Sequence, residues 1–246
     1  MRLQRGGWTD LNPNTSLKKG FEHEVESWNS LYGSGSPTGR RARYAIFQKH
    51  AAKRTRNRMA LCLKLLNPRP SMKILDIGCG SGAFSNEIVS RGADWVGLDL
   101  SFKMLSFGRH PTGAHSRADE KMAWVNGSAK SLPFRDKVFD AAICVGMVNF
   151  YPQEQLPVFL EEMTRIIKPG GNIVLTSLRL DLLTWIRSRL YPWIPLPFSS
   201  PGPLYPHHYR AVLRLIDPTS FECTDMVQVK KYLGMPHYTL FNLLKT

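Results

Sequence analysis

The chain has 246 residues, of which 43% are hydrophobic and 21% charged, ordinary values for a globular fold long enough to bury its own core. Collagen-like, disulfide-rich and wholly disordered classes are excluded on that arithmetic. The charge is not ordinary: 33 Lys and Arg against 19 Asp and Glu give a formal +14.

Most of that excess is local. Residues 1–70 hold 14 basic and 4 acidic side chains, and between Ser36 and Pro70 there are ten Lys or Arg and no carboxylate. The expected organisation is an N-terminal arm and basic helical extension over 1–70, followed by one domain over 71–246. Cys62, Cys79, Cys144 and Cys223 lie far apart, with neither C-x-x-C nor zinc spacing. Met1 to Asn14 has no apolar h-region, and no apolar run approaches the ~18 residues of a membrane span. A cytoplasmic, reducing setting is expected.

In chain order, residues 1–20 show no periodicity. Phe21, Val25, Trp28 and Tyr32 then recur at helical spacing, stopped by Gly33-Ser-Gly-Ser-Pro37. A longer helix is predicted from Arg40 to Leu66, with Tyr44, Phe47, Ala51, Met59, Cys62 and Leu66 on one stripe. Arg41, Lys49, Lys53, Arg54 and Arg56 lie off that stripe, and Asn67-Pro-Arg-Pro70 ends the helix. Alternation follows. Met72–Ile77 reads as a buried strand, then a Gly-rich turn and a helix through Arg91. Trp95–Leu100 reads as a second strand, with Ser101 capping a helix to about Arg109. Met122–Asn126 is a short strand, Val138–Gly146 a fully apolar one, and Gln153–Lys168 an amphipathic helix. Lys168-Pro-Gly-Gly171 reads as a turn into the strand Asn172–Ser177. A helix over Asp181–Leu190 precedes a loop, 191–206, that holds six prolines. A helix at 207–216 and strands near 221–230 and 237–245 close the chain. Strand–helix alternation of this kind argues an α/β fold on a parallel sheet.

The strongest chemical signal is Ile74-Leu-Asp-Ile-Gly-Cys-Gly-Ser-Gly82. A buried strand delivers three alternate glycines into a helix, where small residues let the backbone approach a ligand and the helix offers unpaired N–H groups. A mere tight turn needs only one glycine. Gly78, Gly80 and Gly82 follow G-x-G-x-G rather than the dinucleotide fingerprint G-x-G-x-x-G. Asp99 closes the next strand, where an acid accepts hydrogen bonds from ribose hydroxyls or, alternatively, caps the helix at Ser101–Phe102.

The ordered set resembles the class I S-adenosylmethionine (SAM)-dependent methyltransferases, in the small-molecule branch of ubiquinone/menaquinone-biosynthesis and Mg-protoporphyrin methyltransferases. The resemblance rests on Leu75-Asp-Ile-Gly-Cys-Gly-Ser-Gly82, Gly97-Leu-Asp-Leu-Ser101 with Met104-Leu105, and Asn126-Gly-Ser-Ala-Lys-Ser-Leu-Pro-Phe134. Phe139-Asp140 and Ile166-Ile-Lys-Pro-Gly-Gly171 complete it, over residues 72–178. It implies a Rossmann-like, seven-stranded, mostly parallel sheet with a C-terminal antiparallel hairpin, and SAM as cofactor. Asp76 would orient the methionine amino group. The backbone of Gly78, Cys79, Gly80 and Gly82 would skirt methionine and ribose, and Asp99 would accept from the ribose hydroxyls. Leu100 and Met104 would flank the adenine, and Ser128 and Ala129 would meet its edge. Many relatives have Asp at position 128; the Ser here is a weaker acceptor. Val145, Gly146 and Met147 would line the methyl-transfer position.

The implied reaction is an in-line displacement that needs positioning and water exclusion more than acid–base help. No catalytic base is assigned. Asn149, Phe150 and Tyr151 stand where some relatives have a His, and His207 and His208 are weak candidates. An insertion near 180–216, with Tyr191, Trp193, Phe198 and Tyr205 among its prolines, is expected to form a substrate lid; Trp28 and Tyr32 read either as closing the pocket from the N-terminal side or as core packing. The expected acceptor is small, aromatic or lipophilic. The basic helix 40–66 reads as a solvated face, or as a contact for an anionic membrane surface. Nucleic acid is less favoured, for no RNA-binding module is present and no aromatics interleave the basic run. Two rival functions stay open: an RNA methyltransferase, and a non-catalytic SAM-binding protein. The oligomeric state is not legible.

Overall fold

The structure is a computed structural model and describes residues 56–109, 119–178, 205, 207–216, 220–230 and 236–246. Helix 181–190, nearly all of the 191–206 loop, Trp28, Tyr32 and the first part of the basic helix lie outside the described residues.

Seven strands form one sheet: β1 (Lys73–Ile77), β2 (Asp94–Asp99), β3 (Met122–Asn126), β4 (Phe139–Val145), β5 (Ile167–Leu178), β6 (Phe221–Lys230) and β7 (Pro236–Lys245). Their spatial order is β3-β2-β1-β4-β5-β7-β6, with β1 to β5 parallel and β7 antiparallel between β5 and β6. The expected architecture is thus present. Order reverses between β1 and β4, and in open α/β sheets ligands bind outside the strand carboxyl ends at such a point.

The central strands β1 and β4 read as nearly continuous apolar runs because both faces are covered. Leu75, Ile77, Ala142 and Cys144 join the core on one face, while Ile74, Ala141 and Ile143 join the core on the other. The helices are α1 over residues 56–66, α2 (Ser85–Ser90), α3 (Phe102–Gly108), α4 (Leu156–Ile166) and α5 (Tyr209–Leu215). On α4, Phe159, Met163 and Ile166 are buried at helical spacing. Arg165 on the same helix donates to the Leu132 and Phe134 carbonyls and to Glu162 and Asp136, fastening the loop before β4. At the opposite end of the sheet from the switch-point crevice, Asp140 accepts from the Lys73 amide at 2.8 Å and Lys168 Nζ at 2.6 Å, joining β1, β4 and β5.

Two expectations change. Lys168-Pro-Gly-Gly171 is not a free turn: it lies within β5, with a register shift in the pairing to β4. Gly170 there has φ +74, and a Cβ on Gly171 would sit 2.6 Å from the Asp140 carbonyl oxygen. The helix expected over Gln153–Lys168 is a 3-10 turn at Gln153–Gln155 followed by α4. On α1, Arg58 is buried with Cys62 and Leu66, its guanidinium 4.6 Å from the Tyr238 ring centroid. No described helix is long and apolar enough to cross a membrane.

Candidate cofactor site

The carboxyl ends of β1, β2, β3 and β4 converge on the glycine turn. Gly78, Gly80 and Gly82 all have positive φ (+74, +56 and +78), a region that side chains with a Cβ rarely adopt. A Cβ would also be crowded, firmly by a ring at Gly82 and by flexible methionine ends at Gly78 and Gly80. It would meet Met147 Sδ at 2.8 Å on Gly78, Met104 Cε at 3.0 Å on Gly80 and the Trp124 ring at 2.5 Å on Gly82. The turn is fixed to β2, since the Gly78 and Cys79 amides both donate to the Leu98 carbonyl.

Asp99 sits at the end of β2. Its Oδ2 accepts from the Gly80 amide and its Oδ1 from the Ser101 amide, each at 2.8 Å. Both oxygens retain further lone pairs. Burial raises its pKa, and the hydrogen bonds from Ser101 and Gly80 pull it back. The capping alternative is met in part, yet Ser101 itself is the N-cap of α3, accepting from the Met104 amide at 3.2 Å.

Asp76 is more extreme. It is 2% exposed, and among the described residues its one hydrogen bond comes from Trp95 Nε1 at 3.3 Å. Burial pushes its carboxyl up to about 7, with the nearby Asp99 adding to the rise and the indole opposing it. A buried carboxylate with a single weak donor is costly unless a cation completes its shell. These residues fit SAM, which carries an ammonium group beside a ribose.

The remaining sequence-predicted residues lie as follows. Met104 lies over Gly80. Leu100 is half-buried, and its carbonyl, like that of Asp99, accepts from Asn126 Nδ2. Ser128 Oγ accepts from the Lys130 amide at 3.3 Å, while Ala129 is buried in the core. Cys79 is buried, and its thiol is raised well above the usual range by desolvation, which marks it as backbone lining rather than a nucleophile. Val145 ends β4. Beyond it Gly146 donates to Thr176 Oγ1 at 2.8 Å, and Met147 leans over Gly78.

The histidines part company with expectation. His207 is buried, not at the surface, with Nε2 between the Val148 and Tyr151 carbonyls at 3.3 and 3.0 Å. Two carbonyls require that nitrogen to be protonated, so it fastens α5 to the turn after β4 and does not accept a proton there. His208 is exposed and caps α5. Residues the sequence did not single out are Trp95, Trp124 and Thr176, while Asn149 stood out only for occupying a place where some relatives have a His. The only signal was a bulky aromatic beside a glycine on β2.

Comparison with known proteins agrees with this geometry. Residues 74–171 match the family model described as a methyltransferase domain. The demethylmenaquinone methyltransferase of Corynebacterium kroppenstedtii is 37% identical over 111 residues, 45% of this chain and 43% of that protein. The fatty-acid O-methyltransferase of Mycolicibacterium smegmatis is 35% identical over 120 residues, 47% of this chain and 41% of that protein. The matched stretch thus spans less than half of either relative. Magnesium protoporphyrin IX methyltransferase from Synechocystis PCC 6803, solved with bound SAM, superposes with a TM-score of 0.73 at 15% identity, covering 98% of this chain and 100% of that one. At that identity the likeness is one of fold. Over residues 74–171 the chain is therefore similar to methyltransferase domains.

Proposed function

We propose that the protein transfers a methyl group from SAM to a small, aromatic or lipophilic acceptor. The observation that carries this reading is the pair of acids, Asp76 and Asp99, on either side of a glycine turn that crowds any side chain. Asp76 receives the ammonium of the methionine portion, Asp99 the ribose hydroxyls, and Gly78, Cys79, Gly80 and Gly82 the chain between them. Leu100 and Met104 flank the adenine, with Ser128 and Ala129 at its edge. When bound, SAM supplies a methyl group activated by its positively charged sulfur. Val145, Gly146 and Met147 hold the acceptor in line with that methyl and keep water out. Transfer would form the new bond from an electron pair on the acceptor's oxygen, nitrogen or carbon to the methyl carbon as the carbon–sulfur pair returns to sulfur, and any acceptor proton would leave to solvent. The curated relatives act on quinone and fatty-acid substrates by their names, which supports a lipophilic acceptor, and the carboxylate-free stretch 36–70 suits an anionic lipid surface that presents it.

Labelled methyl transfer into fractionated lysate tests the reading. Label is expected in the organic extract, and more of it when that extract is presented in anionic vesicles than in detergent. Label confined to RNA, or in no fraction, overturns it.

A further inference from the structure

We infer that Trp95 is a positioning residue, whose indole N–H holds the Asp76 carboxylate in the orientation that receives an ammonium group. This rests on the reading of Asp76 given above. Trp95 lies on β2, paired in register with Ile74 of β1, and is fully buried. Its Nε1 donates to Asp76 Oδ2 at 3.3 Å. The ring cannot swing away. It covers Gly97, where a Cβ would collide with it and with Cys79 Sγ, and it meets Trp124 edge-on at 4.7 Å and 71°. Trp124 in turn fills the space beside Gly82 and Gly108. The two indoles thus form a fixed bed beneath the glycine turn, with one polar atom of that bed aimed at the buried acid.

The other groups facing Asp76 cannot do this work. Asp99 from β2 raises its pKa. Cys62 from α1 (itself beside Arg58), Cys79 from the turn and Cys144 from β4 are thiols that burial keeps neutral through the physiological range. Of the described groups, the indole alone donates to the carboxylate.

Trp95→Phe keeps most of the apolar volume and removes the donor. S-adenosylhomocysteine (SAH), which retains the methionine end, is the probe, titrated calorimetrically from pH 6 to pH 8. Protonated Asp76 binds an ammonium poorly, so affinity falls as pH drops through the Asp76 midpoint, near 7 in the ligand-free protein. Without the indole that midpoint moves up, and affinity at pH 7 is expected to drop about 3- to 10-fold, the scale of one lost hydrogen bond. A role in packing alone would leave the pH midpoint in place. Wild-type affinity and midpoint in Trp95→Phe, with binding lost in Asp76→Asn, overturn the inference and leave the cofactor reading standing. Unchanged affinity in Asp76→Asn overturns both. If Trp95→Phe does not fold, the indole N–H resonance of wild type decides. It is expected to titrate with a midpoint near 7 and to lose that titration in Asp76→Asn; a resonance that ignores pH overturns the inference.

Discussion

Gly82 shows how narrow the tolerances are at single positions. Its φ of +78 and the Trp124 ring, 2.5 Å from where a Cβ would stand, independently demand glycine. Gly82→Ala therefore strains the backbone and displaces an aromatic ring, with an expected loss of about 1–3 kcal/mol. A denaturation midpoint lowered accordingly, with weaker SAH binding, supports this account, and an unshifted midpoint contradicts it. The acids obey a different logic. Asp99 has both oxygens on backbone amides before any ligand arrives, whereas Asp76 has one indole. Asp76 has a folded-state pKa above its free value. Its contribution to folding is fully present below about pH 4 and is lost as pH rises through about 7. A bound ammonium reverses that penalty, so SAH is expected to protect the protein more at pH 8 than at pH 6.

Elements, not single residues, bring the site together, and they differ in how far the sequence disclosed them. β1 and β4 were legible because burial on two faces writes a continuous apolar run, and the glycine turn because its spacing is chemical. The start of β5 was not. Pro and Gly in Lys168-Pro-Gly-Gly171 signal a turn locally, but Gly171 is there to pass close to Asp140 of β4, a contact 31 positions away. The tying role of Asn149 was equally hidden. Buried after β4, it donates to the Gly146 carbonyl at 3.1 Å and accepts from the Leu178 amide at 2.8 Å, and its own carbonyl accepts from the Tyr205 amide at 2.7 Å. It thereby ties the turn after β4 to the end of β5 and to the segment entering α5, and His207 binds the same turn. Such roles depend on where distant segments close up, which no local spacing records. Asn149→Ala leaves the Leu178 N–H without its acceptor in a buried place, and should lower unfolding free energy by about 1–3 kcal/mol. Unaltered stability of Asn149→Ala in denaturant would show that this tie is dispensable.

Across the whole molecule, the +14 charge separates from the chemistry. Residues 71–246 hold 19 basic and 15 acidic side chains, so the body that contains the glycine turn is close to balanced. The excess lies in residues 1–70, and one of its members, Arg58, is turned into the core against Tyr238. In the proposed reading, charge bears on where the protein docks, and the cradle at the carboxyl ends of β1 and β2 on what it does. Calorimetric titration of SAH into the full chain and into Asp99→Ala tests that cradle most directly. One SAH is expected per wild-type chain, with binding weakened by at least about 1–2 kcal/mol in Asp99→Ala, the scale of a hydrogen bond lost at a buried partner. Absence of binding to wild type, or equal affinity in the two proteins, would contradict the account.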